Sequence, residues 1–203
     1  MMIRKIRSKY SGVLEITYDR GQKVLDSRNT SYSYGNLQRV WDKVLQRIDL
    51  KNINRILILG MGAGSSIQLL REKYHYDRKI VAIELDPVIV EIARDEFGIR
   101  PDKNLRIETT DAAEYVRRKT HKFDLILIDL FIDNKVPDIL LQRPFWENTA
   151  EKTAPGGILL FNAFLDDDKL ETVTHVLQEK GHTVERWPKI NGANMMIYAI
   201  KKR

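Results

Sequence analysis

The sequence predicts an α/β fold: a doubly wound, seven-stranded, mostly parallel sheet with a small β-hairpin ahead of it. Three observations carry this. Short apolar runs such as 56-ILIL-59 and 125-LILI-128 lack in/out alternation, so their strands are buried on both faces. From residue 55 onward such runs alternate with segments of helical periodicity, as in a sheet covered by helices. Three glycines, Gly60, Gly62 and Gly64, stand where the first of these strands turns into a helix.

Residues 1–33 read as an N-terminal hairpin element and 34–203 as the α/β domain. Within the first, 11-SGVLEITYDRGQKVLDS-27 places Val13, Leu14, Ile16, Val24 and Leu25 around a DRG turn, a hairpin pattern. Residues 34–48 space Leu37, Val40, Trp41, Val44, Leu45 and Ile48 as one face of a helix. A strand at 55–59 is followed by a helix through residue 74, then a strand at 79–85. Pro87 opens the next helix with Asp86 as its N-cap. A strand at 104–109 leads into 111-DAAEYVRRK-119, a helix with a capping-box start. Strands at 123–129 and 155–164, a helix at 168–181 ended by Gly181, and strands at 183–188 and 194–200 complete the chain. A turn, not a helix, separates the last two, so they form an antiparallel pair at the sheet edge.

The 203 residues, 43% hydrophobic and 31% charged, suffice for one sizeable core. The absence of cysteine excludes disulfides, thiolate metal sites and a cysteine nucleophile. No apolar run is long enough to span a membrane, and the basic start MMIRKIRSKYSG lacks a signal-peptide core, so a cytoplasmic location is expected. The net charge of +6 comes partly from RKIRSK, RRK and KKR clusters; without aromatic interleaving, nucleic-acid binding is disfavoured. His75, His121, His175 and His182 are scattered, so no metal is expected. Trp41, Trp146 and Trp187 read as packing anchors.

In such sheets ligands bind beyond the carboxyl ends of the strands. There, Gly60 allows a tight turn, Gly62 a close approach of backbone to ligand, and Gly64 close packing of helix on strand. The G-x-G-x-G spacing, with Ser65 next, differs from the G-x-G-x-x-G of dinucleotide binders. Glu84, with Leu85 beside it, ends the second strand, where an acid accepts hydrogen bonds from ribose hydroxyls. Past the third strand, Asp111 can accept from an adenine amino group and the Ala112 N–H can serve a ring nitrogen; Asp111 also suits a helix cap. Asp129 ends the fourth strand.

Together these features resemble the Class I S-adenosylmethionine-dependent methyltransferase fold, Rossmann-like, over residues 55 to about 165. More narrowly, LGMGAGSS, VAIELDPVIVEIAR, TTDAAEYV and FDLILIDLF are similar to the spermidine/spermine synthase family. The resemblance implies transfer of an aminopropyl group from decarboxylated S-adenosylmethionine to a polyamine, with methylthioadenosine leaving and no metal. It implies Asp129 as the carboxylate that holds the amine and takes its proton. Ala63 departs from the pattern, standing where the family carries an acid before its final glycines. Leu130, Phe131 and Ile132 separate Asp129 from the next acid, Asp133. Asp129, Asp133, Asp138 and the Asp166–Asp168 run are the carboxylates available to a cationic acceptor, the last equally a helix start. Phe145 and Trp146 are candidates for a lid over it.

Ala63 keeps a second reading open, a methyltransferase using intact S-adenosylmethionine on a small molecule or other non-polyamine acceptor. A third is an adenosyl-nucleotide-binding relative without catalysis, its IDLFID loop filling the acceptor pocket. Assembly as a homodimer is compatible with the sequence.

Overall fold

The computed structural model describes residues 4–19, 21–27, 31–119, 121–131, 137–163, 167–190, 192 and 194–203. Strands β1 (Arg4–Ser8), β2 (Gly12–Asp19), β3 (Gln22–Ser27) and β4 (Ser31–Ser33) form an antiparallel sheet in that order. The expected hairpin is β2–β3, with Ile16 opposite Leu25. The element is larger than expected because the basic start pairs along the outer edge of β2, from Arg4 opposite Ile16 to Ser8 opposite Gly12. Ladder bonds are main-chain bonds, so charged side chains do not prevent an edge strand.

Seven strands make the main sheet: β5 (Arg55–Leu59), β6 (Lys79–Glu84), β7 (Leu105–Thr109), β8 (Phe123–Ile128), β9 (Thr153–Ala163), β10 (His182–Ile190) and β11 (Asn194–Lys201). Their order is β10-β11-β9-β8-β5-β6-β7. Strands β5 to β9 run parallel, while β11 is antiparallel to both neighbours. The fold class is the one expected, with the reversed strand one place in from the edge.

The helices are α1 (Gly35–Leu45), α2 (Ser65–Gln68), α3 (Pro87–Phe97), α4 (Ala112–Arg117), α5 (Arg143–Lys152) and α6 (Asp167–Glu179). After α2 the chain widens into a π-helical turn, Leu69–Lys73. The side chains of β5 show how one strand feeds two layers. Ile56 and Ile58 join the core that holds α1, α3 and the N-terminal sheet; Leu57 and Leu59 join the core under α4, α5 and α6. All four are at most 1% exposed. Alternation is invisible in such a run because both faces are apolar. No helix among the described residues is long and apolar enough to cross a membrane.

Helix α5 is not among the elements expected from the sequence. Its Phe145 and Trp146 are buried, edge-to-face at 5.2 Å, with Trp146 also packed on Phe161. The Trp146 indole N–H donates to the Leu140 carbonyl at 2.9 Å. These rings anchor the core and do not cover an acceptor, which corrects the lid expectation. Asp138 is exposed at a 3-10 turn, and Asp167 and Asp168 are exposed at the start of α6; Asp133 and Asp166 lie outside the described residues.

His182 is buried at the start of β10, with Nδ1 3.2 Å from the Leu177 carbonyl. Burial pushes its imidazole down to about 4. A depressed imidazole stabilises the fold above its unfolded value, and that stability is lost as pH falls toward 4. A His182→Gln protein should therefore lose less stability than the parent between about pH 6.5 and 4. Chemical denaturation across that range reads the difference; parallel curves for the two proteins would exclude it.

Candidate active site

Main-chain bonds gather the four predicted segments at the carboxyl edge of the sheet. The N–H groups of Gly60 and Met61 both donate to the Ile83 carbonyl at 3.0 Å. The Thr110 N–H donates to the Glu84 carbonyl at 3.0 Å, and the Asp129 N–H to the Leu59 carbonyl at 2.9 Å. The glycine loop, Glu84, the Asp111 turn and Asp129 thus share one rim.

Gly60 is in the left-handed region at φ 84°, and a Cβ there would lie 2.1 Å from the Asp129 carbonyl oxygen. Its smallness serves the crossing of the β8 exit as well as the turn. Gly64, at φ 89°, is the N-cap of α2, and a Cβ there would meet Ile99 Cγ1 at 2.6 Å. The close packing expected of Gly64 is therefore against the segment after α3. A Gly60→Ala change should destabilise by about 2–4 kcal/mol, combining backbone strain with a clash against fixed main chain. Urea unfolding measures it, and a change below about 0.5 kcal/mol, the size of a neutral surface substitution, would refute the contact.

Glu84 is 8% exposed. Its Oε2 accepts from the Gly62 N–H at 2.9 Å and its Oε1 from the Asp86 N–H at 3.0 Å. Burial pushes the carboxyl above its usual range, against the pull of the Asp86, Gly62 and Leu85 amides. Each carboxylate oxygen has two lone pairs, so both keep capacity for a ribose hydroxyl. Asp111 caps α4, its Oδ1 accepting from the Ala113 and Glu114 N–H groups at 2.8 and 3.1 Å. Ala112 opens α4, so its N–H has no intrahelical partner and is suited to a ring nitrogen. This set fits an adenosyl group: an acid for the ribose, and a carboxylate with an amide for the base edge.

The N-terminal sheet is fastened to this rim. Ser33 Oγ accepts from the Ala63 N–H at 2.8 Å, and the Tyr34 hydroxyl donates to the Ala63 carbonyl at 3.3 Å. Tyr34 stacks on Phe97, and burial pushes its phenol up. Ser8 and Ser11 both donate to Asp86 Oδ2, whose other oxygen caps α3 through the Val88 N–H. Lys23 and Arg4 pair with Glu96 on α3, and Lys23 foremost holds the Glu96 carboxyl below the usual range. The contacts of Ser8, Ser11, Ser33 and Tyr34 are not legible in the sequence: serines carry no periodic signal, and Tyr34 stands at the boundary between the hairpin and helix segments.

Asp129, half-buried past β8, has both oxygens bonded. The Trp41 indole N–H donates to Oδ2 at 2.7 Å and the Asn162 amide to Oδ1 at 2.9 Å. Ile128 pairs with Phe161, which brings Asp129 alongside Asn162. Burial pushes the Asp129 carboxyl up, and the two donors oppose it. Asn162 had a signal in the sequence: it is the one amide inside the apolar run 158-ILLFNAF-164, and a buried amide needs a partner.

A Spermine/spermidine synthase domain profile matches residues 45–190. The chain belongs to the spermine/spermidine synthase family. A polyamine aminopropyltransferase of Vibrio vulnificus is 37% identical over 113 residues, covering 54% of this chain and 38% of that protein. The chain thus spans well under half the length of this curated relative. Among solved structures, a probable spermidine synthase from Corynebacterium glutamicum superposes with TM-score 0.76 at 18% identity, over 99% of this chain and 80% of that one. A spermidine synthase from Thermotoga maritima gives 0.71 at 18% identity, over 98% of this chain and 72% of that one. At these identities the structures speak for the synthase fold, including the N-terminal sheet.

Proposed function

We propose that this synthase-family protein is an aminopropyltransferase that binds decarboxylated S-adenosylmethionine and acts on a polyamine. The observation that carries the reading is the Asp129 carboxylate, held by two donors on the same rim as the glycine loop and Glu84. In this reading Glu84 takes the ribose hydroxyls, and Asp111 with Ala112 the adenine edge. Asp129 receives a proton from the acceptor's ammonium, which frees the nitrogen lone pair. That lone pair forms a bond to the propyl carbon beside sulfur. The C–S electron pair goes to sulfur, and neutral methylthioadenosine leaves.

Ala63 favours a second reading, methyl transfer from intact S-adenosylmethionine, because no acid stands there to hold a free ammonium. Calorimetric titration with intact S-adenosylmethionine, its decarboxylated form and methylthioadenosine separates the two. Tighter binding of the decarboxylated donor, and methylthioadenosine release when a diamine or polyamine is added, is the expected result. Preference for the intact cofactor would replace aminopropyl transfer with methyl transfer.

A further inference from the structure

Two neutral donors from different elements, a helix and a strand, meet at Asp129. Helix α1 supplies Trp41 and strand β9 supplies Asn162, and both side chains are 1% exposed. From the loop side Gly60 approaches, its missing Cβ leaving room for the Asp129 carbonyl. Among the described residues, the side chains acting on the carboxylate are these two, and neither is charged.

We infer that Trp41 and Asn162 are positioning residues for the transfer: they fix the plane of the Asp129 carboxylate and leave one lone pair on each oxygen for the acceptor's ammonium. The inference rests on Asp129 being the base. A terminal carboxylate torsion is broad when unrestrained. One bond to each oxygen, from groups anchored in different elements, removes that freedom. An indole N–H only donates, so Trp41 cannot compete for the proton. Both donors favour the ionised carboxylate and offset burial. The site therefore has a base that stays able to accept a proton where water is scarce.

The test needs a readout that loss of packing alone does not move. In nitrogen-15 spectra the indole N–H resonance of Trp41, assigned by its loss in Trp41→Phe, should shift with pH through one inflection. It should be flat in Asp129→Asn. In Asn162→Ala the inflection should rise by about one pH unit, as expected for removing one donor to a charged group. The acid limb of kcat/KM should rise likewise in Asn162→Ala and Trp41→Phe, with methylthioadenosine affinity unchanged. A Trp41 resonance indifferent to pH, or an inflection and acid limb unmoved in a folded Asn162→Ala protein, would overturn the inference. If Trp41→Phe does not fold, the wild-type and Asn162→Ala titrations decide. If no polyamine is turned over, the reading of function fails, and the spectra alone still decide whether the two donors hold Asp129.

Discussion

Replacing Asp129 with Asn is expected to lower aminopropyl transfer by about 10²–10⁴-fold, the usual contribution of a positioned base. Methylthioadenosine affinity should stay the same, because the role proposed for Asp129 lies on the acceptor side of the chemistry. The substitution keeps size and hydrogen-bonding capacity, and Asn162 can turn its amide to present its oxygen. Stability gives an independent readout. Burial favours the neutral carboxyl of Asp129, so its folded value lies above the unfolded one. The stabilisation it contributes is complete below the ordinary carboxylate range and is lost as pH rises through the raised value. Melting temperatures measured upward from pH 4 should fall less in Asp129→Asn than in the parent. Full turnover in the variant would remove the base assignment; identical pH dependence of melting would remove the claim of a raised carboxyl.

Glu84→Ala is expected to weaken methylthioadenosine binding by about 1–3 kcal/mol, the cost of losing a charged hydrogen-bond partner. That is roughly 5–150-fold in affinity. The structure adds a reason to expect the upper part of the range. Glu84 also accepts from the Gly62 and Asp86 amides, so its loss unfastens the loop that must meet the ligand. Glu84→Gln keeps one acceptor oxygen and should fall between the parent and the alanine variant. Calorimetry on the three proteins reads the series. Affinity unchanged in Glu84→Ala would sink the ribose assignment and leave Glu84 as a loop clamp alone.

The sequence by itself determined the α/β class, the succession of the main strands along the chain and the rim segments. The reason is local chemistry. Strands buried on both faces must be apolar throughout, left-handed backbone at Gly60 and Gly64 selects glycine, and Asp86 and Asp111 caps are written at helix starts. Tertiary structure decided what these residues touch. Trp41 carries the spacing of a core residue, and only the crossing of α1 over the end of β8 gives its indole a carboxylate partner. Gly60 reads as a turn glycine, yet the closest neighbour its Cβ would meet is the carbonyl oxygen of Asp129, far along the chain at the end of β8, 2.1 Å distant. The basic segment Arg4–Ser8 has no strand pattern and becomes a strand because an edge of β2 is open to it. Ser8, Ser11 and Ser33 acquire roles only when their sheet docks against Asp86 and Ala63. Periodicity records which face of an element is buried; it does not record which polar atom waits on the other side of the contact.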